Sequence, residues 1–137
     1  MLRPAVVLDA FALLALVRAE PGQAQVVARL NDAARRECRV LISTINVGEV
    51  LYRLERERGE AAATALVSSL GQSPVELHEA TWARVVAAAH LKAQYRISYA
   101  DAFAVALAQE FDAALMTGDP ETRALAGVIT VEWLPRT

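Results

Sequence analysis

Four acidic residues stand out in this 137-residue chain because each one follows or interrupts an apolar segment. Asp9 directly follows the run Ala5–Leu8, and Asp101 interrupts an alanine-rich segment that is otherwise almost free of charge. Glu49 lies in the segment TINVGEVLY, and Asp119 lies in MTGDPE. Burying a carboxylate alone is very costly, so a buried acid must pair with a cation or bind a metal ion. Few cationic residues lie near Asp9, Asp101 and Asp119 in the sequence.

Metal binding is the chemistry that a group of such carboxylates could support. Two carboxylates about 5 Å apart repel each other by roughly 3 kcal/mol at an effective dielectric constant of about 20, and a bound divalent cation would offset that repulsion. Ligation by oxygen alone favours Mg²⁺ or Mn²⁺, whereas zinc prefers histidine and cysteine. The chain has only two histidines and one cysteine. The four acids therefore predict a magnesium or manganese site, provided that the fold brings them together.

Strand-like and helical segments alternate along the chain, which predicts how these acids are positioned. Short apolar runs predict strands at Ala5–Leu8, Val40–Ile42, Val75–Leu77, Ala113–Met116 and Val128–Trp133. Helical periodicity or turn signals predict helices over residues 11–18, 23–36, 44–59, 60–70, 81–95, 100–111 and 121–126. This alternation predicts the α/β class, as a three-layer α/β/α sandwich with a central, mainly parallel sheet.

The carboxyl ends of parallel strands meet at one edge of a sheet, where ligands of such folds bind. Asp9 and Asp119 follow two of the predicted strands, and Glu49 lies about two turns into the helix after another. Asp101 opens a late helix. Taken singly, each acid could be a helix N-cap, a turn residue or an exposed helix residue. Those separate roles do not explain why all four are predicted at the same edge.

The composition limits the class of protein. With 55% hydrophobic residues and a net charge of −2, the chain is neither disordered nor a generally basic nucleic-acid binder. Any RNA partner would therefore have to bind a local cluster of arginines. The length suits one domain over residues 1–137. The single cysteine, Cys38, cannot form an internal disulfide, which favours a reducing cytoplasm.

The apolar N-terminal segment does not predict a membrane anchor. Residues 5–17 contain Asp9 and are fewer than the roughly 20 apolar residues that a membrane-spanning helix needs. The apolar region of a signal peptide would not normally carry that aspartate either. We therefore expect a soluble protein without a membrane span or a targeting segment.

The order and spacing of these motifs resemble the PIN-domain nucleases, and among them the VapC toxins of bacterial VapBC toxin–antitoxin pairs. The shared motifs are an aspartate that closes the first strand, Asn46-x-x-Glu49, Ser98-Tyr-Ala-Asp101 and Thr117-Gly-Asp119. The resemblance covers the chain from about Val6 to Trp133. One departure is Phe11, since many relatives carry serine or threonine two positions after the first aspartate. This departure removes a polar partner beside Asp9.

The resemblance implies a function, a cofactor and partners. It implies a Mg²⁺-dependent endoribonuclease that hydrolyses RNA phosphodiester bonds, with Mn²⁺ as a possible substitute. It also implies a cytoplasmic, homodimeric toxin that acts on tRNA or rRNA and is held inactive by a VapB-type antitoxin. The implied catalytic and metal-binding residues are Asp9, Glu49, Asp101 and Asp119, with Thr117 and Asn46 in support.

Two clusters of arginines could bind RNA phosphates. The first lies on the helix that bears Glu49 and contains Arg53, Arg56 and Arg58. The second precedes the second strand and contains Arg35, Arg36 and Arg39. A solvated, charged face is the commoner explanation for each such cluster. Of these residues, Arg53 and Arg56 are our candidates for RNA binding because they lie nearest to Glu49 in the sequence.

Other classes with acids at strand ends fit the sequence less well. A receiver-like signalling domain would need adjacent acids after its first strand and a lysine after its last, but Asp9 has no acidic neighbour and Lys92 lies in a predicted helix. A phosphatase of the haloacid-dehalogenase type would need Asp-x-Asp, whereas the chain has Asp9-Ala-Phe11. A PIN-fold RNA-processing nuclease and a PIN scaffold that binds RNA without cutting it both stay open.

Overall fold

The computed structural model describes residues 3–136, which form a five-stranded sheet with helices on both faces. The strands are β1 (Ala5–Leu8), β2 (Arg39–Ser43), β3 (Val75–His78), β4 (Ala114–Thr117) and β5 (Val131–Trp133). Their order in the sheet is β3-β2-β1-β4-β5, and every neighbouring pair is parallel. The predicted α/β/α sandwich is confirmed, and its sheet is wholly parallel.

The helices lie close to their predicted positions. They are α1 (Ala10–Val17), α2 (Gln23–Ala34), α3 (Thr44–Arg58), α4 (Glu60–Gly71), α5 (Trp82–Gln94) and α6 (Tyr99–Glu110), with a 3-10 helix at Pro120–Leu125. The last strand begins at Val131 and not at the predicted Val128. The reason is that the N–H groups of Val128 and Ile129 both bond to the carbonyl of Leu125, which keeps this segment in a turn. Within the described range, no helix is long and apolar enough to cross a membrane.

The core consists of one apolar layer on each face of the sheet. On one face, the side chains of Leu8 and Ile42 are fully buried and belong to a cluster with residues of α1, α2, α3 and α4. On the other face, Val7 and Leu41 are fully buried in a cluster with residues of α5 and α6. Burial on both faces explains why these strands read as continuous apolar runs. Burying each such side chain stabilises the fold by about 1.5–3 kcal/mol.

Helix α6 is buried along most of its length, which explains why its sequence is nearly free of charge. Every residue from Ala102 to Ala108 is buried, as expected for a helix that is apolar all round. The helix begins at Ser98, whose hydroxyl accepts a hydrogen bond of 3.0 Å from the backbone N–H of Asp101. This N-cap holds Asp101 in the first turn of the helix.

Candidate active site

The structure brings all four sequence-predicted acids to the carboxyl edge of the sheet. The register pairs Leu8 with Ile42 and with Met116, so the central strands end side by side. Asp9 follows β1 and caps the N-terminus of α1, and Asp119 follows β4 and caps the 3-10 helix. Glu49 and Asp101 come from α3 and α6, and both line one cleft together with Asp119.

Asp9 lies at the base of this edge and is almost completely buried, with 1% of its surface exposed. Its Oδ1 accepts a hydrogen bond of 2.9 Å from the backbone N–H of Ala12, whereas Oδ2 has no partner within residues 3–136. Burial raises the pKa of Asp9 from 3.8 to about 7, and the charges of Asp101 and Asp119 add to this. The neighbouring Thr117 hydroxyl and the hydrogen bond from the Ala12 N–H oppose the rise.

Asp101 is held close to Asp119 and is 8% exposed. The pKa of Asp101 is raised to about 7, chiefly by burial. The negative charge of Asp119 raises it further, and that of Glu49 has a smaller effect in the same direction. The Ser98 hydroxyl opposes this shift. The raised pKa of Asp101 therefore reflects its burial first and the charges of the neighbouring acids second.

Asp119 and Glu121 complete the acidic group with Asp101. One carboxylate oxygen from each of the three residues lies within 4.8 Å of the other two. Oδ1 of Asp119 accepts a hydrogen bond of 2.9 Å from the N–H of Glu121, and the Asp119 N–H donates to Oγ1 of Thr117 at 3.0 Å. Thr117 is fully buried, and its own hydroxyl hydrogen remains available to Asp9.

Glu121 was missed by the sequence reasoning, which assigned it only to the first turn of a short helix. Its side chain is exposed, and an acid after a proline is common at a helix start. The signal that could have identified it is its spacing. It follows Asp119 by two residues in a tight turn at the end of a strand, so it faces the same edge of the sheet.

Glu49 lies on the wall of the cleft, outside the group formed by Asp101, Asp119 and Glu121. Its side chain is 24% exposed, and its Oε2 lies 3.3 Å from Nη1 of Arg53 one helical turn later. The cleft has a volume of about 460 Å³ and is also lined by Tyr52 and Phe11.

The two arginines proposed for RNA binding lie beside this cleft. Arg53 lines it directly, and the guanidinium of Arg56 lies 5.0 Å from the ring centre of Tyr52, which also lines it. The second arginine cluster lies at the opposite edge of the sheet, because it precedes β2. There Arg39 pairs with Glu76 at 2.7 Å, and Arg35 pairs with Asp32 at 2.6 Å. That cluster is therefore remote from the acids.

Asn46 connects the two helices that carry Glu49 and Asp101. It is fully buried, and its Nδ2 donates a hydrogen bond of 3.0 Å to the carbonyl of Ala100. This bond fixes α3 against the first turn of α6, next to Asp101. The Oδ1 of Asn46 has no partner in the described part of the chain.

The donor set at this edge fits a hard divalent cation. Asp101, Asp119 and Glu121 already present oxygens to a common space, and Oδ2 of the neighbouring Asp9 lacks a partner. Buried carboxylates with raised pKa values would be stabilised by a positive charge between them. Because every donor is oxygen, the group suits Mg²⁺ or Mn²⁺ better than zinc.

Comparison with known proteins gives a family match and several similar folds. A family model described as the PIN domain matches residues 6–128. No curated protein matches the chain by sequence. A toxin–antitoxin complex from Klebsiella pneumoniae has a TM-score of 0.71 at 18% identity, over 96% of this chain and 99% of that one.

Two further solved structures show the same fold. VapC20 of Mycobacterium tuberculosis, described as a toxin that cleaves the sarcin–ricin loop, has a TM-score of 0.72 at 21% identity, over 95% of this chain and 99% of that one. VapBC2 from Rickettsia felis, bound to a DNA fragment from its promoter, has a TM-score of 0.75 at 14% identity, over 96% of this chain and 99% of that one. At these identities the likeness is one of fold.

Proposed function

The chain belongs to the PIN-domain family, and on that premise we propose that it is a Mg²⁺-dependent endoribonuclease that acts as the toxin of a toxin–antitoxin pair. The observation that carries this proposal is the crowding of Asp101, Asp119 and Glu121 within 4.8 Å at the carboxyl edge of the sheet. Similar structures that are described as toxins, VapC20 among them, support the assignment.

We assign roles to the acids from their surroundings. Asp101 and Asp119 would hold the metal ion directly, because their carboxylates face each other in the cleft. Asp9 would hold it through Oδ2, the oxygen that has no partner. When bound, the cation would activate a water molecule and stabilise the charge on the scissile phosphate.

The remaining residues would position these acids and the RNA. Thr117 holds the Asp119 backbone and favours the charged form of Asp9, and Asn46 holds α6 in place. Glu49 would complete the quartet, directly or through water. Arg53 and Arg56 would bind phosphates as the RNA enters past Tyr52.

An antitoxin partner is supported by an apolar groove on the face covered by α1, α3 and α4. The groove has a volume of about 430 Å³ and is lined by apolar residues that include Leu13, Val17, Leu54 and Leu66. One similar structure is described as a toxin–antitoxin complex, and another as a member of the VapBC family of toxin–antitoxin systems. We propose that an apolar antitoxin segment occupies this groove. We also propose that the protein is a homodimer, for which α5 offers exposed Trp82 and Val86.

Cleavage of a mixed pool of tRNA and rRNA by the purified protein tests the proposed function. The reaction is run with Mg²⁺, with Mn²⁺ and with EDTA, using the wild type and the variants Asp9→Asn and Asp101→Asn. The matched control is Asp112→Asn, which changes an exposed aspartate at the opposite edge of the sheet.

We expect discrete fragments that disappear with EDTA and with either site variant but persist with the control. Absence of cleavage by metal-loaded, antitoxin-free protein would instead favour a module that binds RNA without cutting it. Cleavage that survives both site substitutions would show that these carboxylates are not the catalytic residues.

A further inference from the structure

A second cleft adjoins the acidic one on the side of β5. It has a volume of about 530 Å³ and is lined by Gly118, Arg123, Ala126, Trp133, Leu134 and Arg136, among others. Gly118 lines this cleft, and the next residue, Asp119, lines the acidic one. The far wall is fixed in place, because the N–H of Leu134 donates a hydrogen bond of 2.8 Å to the carbonyl of Thr117.

The chemistry of this cleft differs from that of its acidic neighbour. Arg123 and Arg136 are exposed, and among residues 3–136 neither forms an ion pair with an acidic side chain. The nearby acid Glu132 is already paired with Arg29. Trp133, which lines the same cleft, is 46% exposed. Unpaired guanidinium groups beside an open aromatic face are the elements that bind single-stranded nucleic acid.

The sheet places this cleft at a suitable distance from the metal-binding edge. Trp133 is the register partner of Thr117, and β4 is the neighbour of β1. Because adjacent strands lie about 4.8 Å apart, the backbone of Trp133 is one strand spacing from β4 and about 10 Å from β1. On the other side of the acids, the pair formed by Tyr52 and Arg56 lies on α3.

We propose that this second cleft is a nucleotide subsite, in which Trp133 stacks on an unpaired RNA base next to the scissile phosphate. Arg123 and Arg136 bind the phosphates on either side of that base. This inference rests on the proposed ribonuclease function, and it implies that the substrate segment bound here is single-stranded RNA. Because stacking accepts every base, the subsite selects for an unpaired nucleotide and not for a sequence.

Tryptophan fluorescence tests the stacking directly, because Trp82 and Trp133 are the only two tryptophans. The variant Trp82→Phe/Asp101→Asn leaves Trp133 as the sole indole, and its acid substitution prevents cleavage of the probe. We expect a single-stranded oligoribonucleotide to quench this signal and the same sequence in a duplex to leave it unchanged. In the matched variant Trp133→Phe/Asp101→Asn, only Trp82 emits, and we expect no quenching.

Affinity and kinetics test the contribution of each contact. Trp133→Ala should weaken binding of the oligoribonucleotide by about 5- to 150-fold, the range for losing one stacked base, with partial rescue in Trp133→Phe. Arg123→Gln/Arg136→Gln should lower the slope of log affinity against log salt by about 1.4, or about 0.7 for each phosphate contact. The control Arg36→Gln removes an exposed charge at the opposite edge and should leave this slope unchanged.

The outcomes separate this proposal from the proposed function. If the wild type cleaves RNA but substitutions at Trp133, Arg123 and Arg136 change neither binding nor KM, the subsite is overturned and the nuclease stands. If the indole is quenched by unpaired RNA but no RNA is cleaved, the subsite stands and the nuclease falls. Absence of quenching, or equal quenching by the duplex, overturns base stacking.

Discussion

The aromatic ring of Phe11 lies so close to the α-carbon of Gly118 that residue 118 has no room for a side chain. A β-carbon built there would stand 2.4 Å from Cε1 and from Cζ of the ring, and 3.0 Å from the carbonyl oxygen of Leu134. The contact joins the first turn of α1 to the turn that carries Asp119. Phe11 thus gives this corner of the site an apolar packing contact, at a position where many related nucleases carry a hydroxyl group.

Gly118→Ala is expected to destabilise the protein by about 1–3 kcal/mol, because the added methyl group forces the ring or the backbone to move. The free energy of unfolding, measured by urea titration, checks this. In a Phe11→Ser background the ring is absent, so the same glycine substitution should be much less harmful. Equal effects in the two backgrounds would show that the ring does not restrict residue 118.

The stability of the metal-free protein is expected to fall as the pH rises from about 4 to about 7. Asp9 and Asp101 have pKa values of about 7 in the folded protein, raised chiefly by burial, against 3.8 when unperturbed. Between these values the folded state binds more protons than the unfolded state, so the free energy of unfolding decreases with rising pH and levels off above about 7. Thermal unfolding in EDTA across this range measures the effect.

Asp101→Asn is expected to flatten that pH dependence and to stabilise the metal-free protein at pH 8 by roughly 1–3 kcal/mol, since one of the repelling charges is gone. Mg²⁺ should raise the melting temperature of the wild type more at pH 8 than at pH 6, because ligands must lose their protons. The same ion should have little effect on the variant. Equal stabilisation of both proteins by Mg²⁺ would place the ion elsewhere.

Asn46→Ala is expected to destabilise the fold by about 1–3 kcal/mol and to lower cleavage, because the bond to the Ala100 carbonyl is lost at a buried position. Urea titration and single-turnover cleavage measure the two effects. The chain has one other asparagine, Asn31, which is exposed on α2, so Asn31→Ala is the matched control. A similar loss in both variants would argue against a specific role for the bond between α3 and α6.

The two glycines on and after α3 are expected to respond in opposite directions to alanine. Gly48 lies within the helix, and a β-carbon there would meet nothing within 4 Å, so Gly48→Ala should stabilise the protein by about 0.5–1 kcal/mol. Gly59 ends the helix with a φ of +93°, which alanine adopts only with strain, so Gly59→Ala should destabilise it. Comparison of the two urea midpoints tests this difference.

The strands and helices were predictable from local patterns, whereas their order across the sheet was not. Continuous apolar runs such as Ala5–Leu8 and Val40–Ile42 predict strands buried on both faces, and the structure contains them. The order β3-β2-β1-β4-β5 depends on which strands pair over long sequence separations, and a single sequence does not encode that in any local pattern. The late start of β5 has a similar origin, because Val128 is apolar but is held in a turn by a bond to Leu125.

In the candidate site, too, the residues marked by a local pattern were predictable, and those brought together by long-range pairing were not. The acids at Asp9 and Asp101 were recognisable because a charge in an apolar segment needs an explanation. Glu121 gave no such signal, since it is exposed among polar neighbours and enters the group only through the turn after β4. The partner of Glu49 could be anticipated from the spacing to Arg53, but the cleft formed by Arg123, Trp133 and Arg136 could not. Those residues are brought together by the pairing of β4 with β5.

The central position of β1 gives the parts of the site different freedom to open. Asp9 continues a strand that is hydrogen-bonded on both sides, so its backbone is released only when the whole domain unfolds. Glu121 lies in the short 3-10 helix and Trp133 in the three-residue edge strand β5, which is paired on one side only, and such short peripheral elements open at a lower free energy than the core. One side of the site is therefore as stable as the fold itself, whereas the side formed by the 3-10 helix and β5 has the lower local stability.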